Sequence, residues 1–431
     1  MKNFVVYFWT IMLSISITLS QNSIGNNKFN RESDPEYHKG RKEWLKSIHK
    51  SEPGVNYKIL KNELKKERLS RQINSKTKLK NDDPKLQKFI SDNGKIIGSW
   101  KERGSRNLSG RMLTTDVDLK EGLIYAASHG GNVWRGTLDG EEWKCLNTSI
   151  QFDIKNIKVE DFGSYRRIIV FDNSNVYVSD NEGEWWYPAT GLEEIAKWGW
   201  IEKGVVLNND SKRIIYVLAN EWDYTDWKHI KSIYYSIDNG LNFHKILSVN
   251  NTDNIDIWGW ESSIGEYIDK SLKPVNYDKL IYLHNDTIFS INSNVVNVLN
   301  INNEILSLIP NNIRLSGSIV NENIMLYVNV TNPINNLINT FRTSDFGLNL
   351  EYMSQSPTNY FMRNSFGVSK LNEDLAFIGG VDCFKTINGG LSWVAINGWA
   401  EYYQDPINKL HADIPGIKSF RTEVDKEFFL I

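Results

Sequence analysis

An all-β repeat protein behind a short helical leader is what this 431-residue sequence predicts. Three observations carry that expectation: an N-terminal stretch with helix spacing and dense charge, a switch after Trp100 to short alternating segments, and five recurrences of one turn grammar. Composition bounds what such a protein can do. Lys plus Arg is 50 and Asp plus Glu 52, a formal charge of −2, which gives no electrostatic bias toward a nucleic-acid backbone. Hydrophobic residues at 40% and charged residues at 24% exclude a disordered chain. Two cysteines build neither a disulfide framework nor a four-thiolate metal site, so Cys145 and Cys383 are expected as free buried thiols.

The first element is a targeting segment. Met1-Lys2-Asn3 carries one positive side chain, Phe4 to Leu19 is apolar or small, and Thr18-Leu19-Ser20 offers small residues before a cut at Gln21. That is the grammar of a secretory signal peptide over residues 1–20, and the run is shorter than the ~20 residues that span a bilayer. The expected mature chain is secreted or surface-displayed, has no integral membrane span and is a monomer. Residues 21–95 form a charged leader in which Trp44, Leu45, Ile48 and then Ile59, Leu60, Leu64 are spaced like helix faces. Ser51-Glu52-Pro53-Gly54 divides it into two short helices, expected as a solvated leader packing loosely on the main domain, residues 96–431.

From Trp100 the chain alternates in period two. Five segments join a strand end to a turn rich in Asp, Asn and Gly and then to an aromatic or apolar residue. They run Gly136–Trp143 with Asp139, Ser179–Trp185 with Asp180, Ser236–Phe243 with Asp238 and Gly240, Thr343–Leu350 with Asp345 and Gly347, and Thr386–Trp393 with Asn388 and Gly390. A degenerate sixth lies at Ser290-Ile291-Asn292. The carboxylate or amide accepts backbone N–H groups inside the turn, Gly supplies positive φ, and the terminal Trp or Phe plugs the layer against the next sheet. Such a turn stabilises a hairpin and performs no chemistry.

These segments resemble the Asp-box, or bacterial neuraminidase repeat, Ser-x-Asp-x-Gly-x-x-Trp, which Ser236–Phe243 fits with Phe in place of Trp. Gly104-Ser105-Arg106-Asn107-Leu108-Ser109-Gly110-Arg111, followed by Ile124 to Trp134, is similar to the first blade of sortilin-type β-propellers, which include secreted proteins of Bacteroidota and relatives of xyloglucan-cleaving endoglucanases. The resemblance covers about residues 99–431 and implies a propeller of four-stranded blades closed by Asp-box hairpins. Inner strands are then expected near Arg111, Lys155, Trp198, Trp258, Arg314, Arg363 and His411, in steps of 44, 43, 60, 56, 49 and 48 residues. That gives six blades and a partial seventh. The ending Phe428-Phe429-Leu430-Ile431 reads as a strand where a hairpin is due, so the frame is expected to be truncated, with an unpaired edge and without a C-terminal sorting domain.

Candidate ligand-binding residues follow from the inner strands. Lys197-Trp198-Gly199-Trp200 and Ile257-Trp258-Gly259-Trp260 open consecutive blades, and alternation puts each Trp pair on one face. Four indoles at a channel mouth suit sugar rings or apolar peptide side chains; the other reading has them filling the layers between blades. Arg111, Arg314 and Arg363 fall where sialidases place three carboxylate-binding arginines, but the Tyr nucleophile, its Glu and the Asp acid/base of that family are missing. Xyloglucan-cleaving relatives carry a catalytic Asp two residues before a Gly pair; here that position is Ser128, before Gly130-Gly131. Asp116 and Asp118 are carboxylates of last resort, read as turn or solvent groups. His411-Ala412-Asp413 offers two metal ligands on one strand face, too few for a site. No cofactor, metal or catalytic residue is assigned.

Two functions fit. The first is a secreted, non-catalytic binding and scaffolding propeller that takes an extracellular peptide or glycan at the channel mouth, held by the Trp cluster with Arg111, Arg363 or His411. The second is an Asp-box glycoside hydrolase, xyloglucanase-like before sialidase-like. They separate on one feature: a hydrolase needs two carboxylates about 5 to 9.5 Å apart across a cleft.

Overall fold

A computed structural model describes residues 111–431, apart from 141, 149, 210–211, 268–278, 293, 302–311, 321–322 and 404–408, together with helical positions between residues 39 and 69. The apolar run Phe4–Leu19 and the Gly104–Gly110 motif lie outside the described residues. Residues 1–60 and 61–431 form two compact units. In the first, Lys39, Gly40 and Glu43 are helical and exposed.

The second unit is a β-propeller. Six four-stranded antiparallel sheets follow one another over residues 112–145, 154–188, 200–250, 255–301, 313–355 and 366–397, each with its strands paired in chain order. A two-stranded hairpin, Lys418–Glu423 with Lys426–Leu430, follows as a partial seventh blade. The inner strands are Met112–Asp118, Ile154–Asp161, Trp200–Asn209, Ile255–Trp258, Ile313–Val320 and Phe366–Val368. These lie within a few residues of the expected positions. The seventh differs: its strand begins at Lys418, not His411, because Asp413 sits at φ +67° in a turn and cannot continue a strand.

Each adjacent pair of sheets buries its own apolar layer. Tyr125, Ile157 and Ile168 fill the space between blades 1 and 2, Phe171, Ile201 and Ile215 that between 2 and 3, and Leu207, Tyr216 and Ile257 that between 3 and 4. The hairpin completes the circuit. Ile417 and Phe429 pack with Cys383 and Phe377 of blade 6, while Phe420 and Phe428 pack with Val117 and Ile124 of blade 1. Among the described residues, two strands bridge blade 6 to blade 1. The outer strand Lys426–Leu430 has Lys418–Glu423 as its strand partner, and no second one among the described residues.

In blades 3, 5 and 6 the turns joining third to fourth strands share one hydrogen-bond set. Asp238 accepts Ser236 Oγ at 2.7 Å and Asn242 N at 2.9 Å, and Ser236 Oγ accepts Gly240 N at 3.0 Å. Asp345 with Thr343 and Gly347, and Asn388 with Thr386 and Gly390, repeat it. Phe243 is buried and Trp393 half-buried against the neighbouring layers. Blade 2 corrects the expected register by one residue. There Asn181, not Asp180, accepts Ser179 Oγ and Trp185 N, and Trp186 rather than Trp185 is the buried plug. Asp180 instead holds Arg167 through two bonds of 2.6 Å. In blade 1 Asp139 bonds Thr137, but the shorter turn leaves Trp143 exposed. Blade 4 reduces its turn to a tight hairpin in which Asn292 pairs with Val295.

Part of the leader belongs to the propeller unit and is not loose. Lys65 is buried, ion-paired with Asp172 at 2.9 Å and set over the rings of Tyr177 and Phe152 at 4.3 and 4.8 Å. Asn62 bonds the carbonyl of Ala196, and Leu69 joins the apolar layer between blades 1 and 2. No helix of the described residues is long and apolar enough to cross a membrane.

Candidate functional site

The inner strands of blades 2 to 6 and the closing hairpin line an axial cavity of about 170 Å³ that opens to solvent. Lys158 from blade 2, Lys203 from blade 3, Arg363 and Lys370 flanking the inner strand of blade 6, and Lys418 from the hairpin supply its cationic wall. Trp258, Trp260 and Phe366 supply its apolar wall.

Charges here are arranged in pairs. Lys158 Nζ lies 3.2 Å from Asp116 and donates to Ser263 at 3.2 Å. Lys203 lies 3.3 Å from Asp256, which also takes Arg363 at 2.9 Å and the backbone N–H of Leu315 at 2.8 Å. Arg363 reaches Glu202 at 2.6 Å, and Lys370 reaches Glu266 at 2.6 Å. Burial alone would raise the pKa of Asp116; Lys158, Lys418 and the bonds from Ser263 and Val159 outweigh it and hold the carboxyl below its ordinary value. Asp256 is likewise held down, its burial outweighed by Lys203 and Arg363. Both are therefore bound anions, unsuited to proton donation.

Burial pushes the pKa of Glu160 up, against Lys158 and Arg213. Its Oε2 is held by Arg213 at 2.5 Å and its Oε1 has no partner among the described residues, but it is not part of the cavity lining. A Tyr–Glu pair also exists, Tyr234 donating to Glu221, yet both are buried inside blade 3 with Lys245 as counter-charge. It faces no described cavity.

The four indoles expected to act together lie in two places. Trp258 ends its inner strand, Trp260 follows it, and both pack on the layer between blades 4 and 5 while bordering the cavity. Trp198 ends the short helix Glu193–Trp198 and Trp200 opens the inner strand of blade 3; neither lines the cavity. They are 42% and 38% exposed. Trp200 meets His229, ring centroids 5.5 Å apart, and His229 meets Trp222 at 4.9 Å. Those two residues end the hairpin between Lys212–Asp223 and Lys228–Ser236, whose tip carries Tyr224 and Trp227, 43% and 73% exposed. Trp227 stands at φ +53°, a left-handed position that hairpin turns ordinarily give to Gly or Asn.

The remaining candidates are held locally. Arg111 pairs with Asp413 at 2.8 Å and lies over Phe361; Arg314 lies over Tyr360 and donates to the carbonyl of Met362. Arg363 borders the cavity, held by Glu202 and Asp256. His411 Nδ1 lies 2.7 Å from the carbonyl of Ala412, and its ring meets Tyr402. Among the described residues no three His, Cys, Asp or Glu side chains converge as metal ligands. Asp116 and Asp118 are buried ion-pair partners rather than solvent carboxylates, Asp118 with Arg166. Ser128 Oγ accepts Asn132 N in a turn. Sequence reasoning missed the cavity lysines and the aromatic hairpin tip. A signal for the latter was present in Trp222-Asp223-Tyr224-Thr225-Asp226-Trp227, a turn with three large aromatics between two alternating runs.

No protein-family model matches the sequence, and no curated protein matches it. By structure the chain is similar to a GH74 xyloglucanase from Xanthomonas campestris, with a TM-score of 0.48 and 12% identity over 74% of this chain and 50% of that one. It is similar also to YCF48 from Cyanidioschyzon merolae, TM-score 0.41 and 10% identity over 74% of this chain and 92% of that one. PorZ, an essential bacterial surface component of the type-IX secretion system of Porphyromonas gingivalis, gives a TM-score of 0.41 and 10% identity over 75% of this chain and 37% of that one. The chain thus spans about half the length of the xyloglucanase and just over a third of PorZ. At these identities the likeness extends to the fold alone.

Proposed function

We propose that the protein is an exported, non-catalytic binding module of the Asp-box, sortilin-type propeller class, which takes an extracellular glycan or peptide on the aromatic hairpin of blade 3. The observation that carries the reading is Trp227. A bulky residue in the left-handed region costs about 1–2 kcal/mol, and at 73% exposure no packing offsets it. With Tyr224, Trp200 and Trp198 it offers flat rings to a sugar face or an apolar side chain. Lys197, 5.6 Å above the Tyr224 ring, adds a donor at the edge. The paired channel carboxylates support binding over hydrolysis, since Asp116 and Asp256 are held ionised between cations.

The test is a glycan and peptide array probed with the whole mature chain and with Trp227→Gly. The expected result is a ligand class bound by the parent protein and lost in the variant, with the variant's stability unchanged or raised by up to about 1 kcal/mol. A variant that binds as the parent does removes the hairpin from the reading.

A further inference from the structure

The wall of the axial cavity presents cations far in excess of anions. Lys158, Lys203, Arg363, Lys370 and Lys418 line it, against Glu261 as the carboxylate among its lining residues. The other carboxylates stand behind these cations with their oxygens already engaged. Asp116 accepts Val159 N, Asp256 accepts Leu315 N, and Glu266 accepts the backbone N–H groups of Ser263 and Arg421. Glu261 itself accepts Val206 N at 2.9 Å.

Counting donors isolates one lysine. An ammonium carries three N–H donors. Lys158 meets Asp116 and Ser263, Lys203 meets Asp256 and the carbonyl of Leu315, and Lys370 meets Glu266 and the carbonyl of Glu261. Among the described residues Lys418 meets the carbonyl of Thr115 at 3.1 Å, and no carboxylate lies within ion-pair distance. A half-buried ammonium with one carbonyl partner keeps N–H donors to offer into the cavity. Trp258, Trp260 and Phe366 line the same cavity, apolar surface that an inorganic anion would not use.

We infer that the axial cavity is a binding site for a small organic carboxylate, its oxygens taken by Lys418 and its hydrocarbon part set against Trp258, Trp260 and Phe366. The size agrees: a cavity of about 150 Å³ holds benzene, so one of about 170 Å³ suits a ligand of roughly benzoate dimensions. Lys418 lies on the hairpin that closes the ring, so the site exists only in the closed propeller. It shares no residue with the aromatic hairpin and stands whether or not that surface binds a glycan or peptide.

The experiment titrates benzoate, phenylacetate and succinate, each beside its uncharged amide, into the full chain, read by tryptophan fluorescence and calorimetry. At least one carboxylate is expected to saturate, with its amide weaker by about tenfold or more, and Lys418→Met is expected to weaken that carboxylate by about tenfold or more. The carboxylate–amide comparison uses the unaltered protein, so it decides the matter even where the variant does not fold. Absence of saturable binding, equal binding of acid and amide, inorganic phosphate binding as tightly as the best carboxylate, or undiminished binding by Lys418→Met would each overturn the inference.

Discussion

At the residue scale, buried charge in the channel divides into groups that hold the ring and one that does not. Asp256 is fully buried between Lys203 and Arg363. Asp256→Ala leaves two cations without their counter-charge, and the expected loss in denaturant unfolding is about 3–5 kcal/mol. The pH dependence has a definite sign. Asp116 and Asp256 have folded-state pKa values below their ordinary ones, so their contribution is present above the ordinary Asp value of about 3.9 and is lost as the pH falls through the folded values. Asp256→Asn should flatten that acid limb. Lys418 behaves oppositely. Its burial, aided by Lys158 and Lys370, lowers its pKa against the pull of Asp116 and Glu261. The penalty on the folded state is therefore full below the folded pKa and shrinks as the pH rises toward the ordinary lysine value of about 10.4. Lys418→Met is expected to raise the denaturant midpoint at neutral pH; a lowered midpoint would mean that the ammonium stabilises the ring. None of these lysines stands out in the sequence. Lys158 sits between Ile157 and Val159 in an ordinary alternation, and only ring closure brings it near Lys203, Lys370 and Lys418.

At the element scale, the turn between third and fourth strands is where sequence and structure agree best, because its chemistry is local. Ser or Thr, then Asp or Asn, then Gly, carry the hydrogen bonds within five residues, so they are visible without knowing what the hairpin packs on. Gly240 takes φ +89°, and a Cβ there would meet Ile215 at 3.0 Å. Gly240→Ala should cost about 1–3 kcal/mol, read as a shift in chemical denaturation with no change in the unfolding slope. The one-residue slip in blade 2 has a physical source. Ser179-Asp180-Asn181 offers two acceptors in succession, and the choice is made by Arg167, which claims Asp180 from the neighbouring strand. The Trp-Gly-Trp repeats misled in a related way. Trp200 opens its strand whereas Trp258 closes a much shorter one, so identical motifs sit at different positions along their inner strands.

At the scale of the whole molecule, the hairpin Lys418–Leu430 joins the ends of the ring. Phe420 is almost fully buried against Val117 and Ile124, and Phe429 meets Phe377 with ring centroids 4.5 Å apart, so one short element bridges first blade to sixth. Phe420→Ala should cost about 3–5 kcal/mol and raise hydrogen exchange in Met112–Asp118, the strand across the seam. Blade number and order were legible from the inner-strand spacing that the resemblance implied, since each blade is a sequential meander. The lining of the cavity was not legible, since it joins residues from the second blade to the closing hairpin. Nor was the burial of Lys65 and Leu69, whose helix reads as a charged surface until the layer of Phe152 and Tyr177 is in place.

The central claim is that this propeller binds without cutting. The most direct measurement incubates the full mature chain with the glycans it retains on an array and follows released reducing ends and product masses over long times. The prediction is that every bound glycan is recovered intact while Trp227→Gly loses it. New reducing ends formed in proportion to protein, and persisting in Trp227→Gly, would contradict the claim and return attention to Glu160, whose pKa burial pushes up.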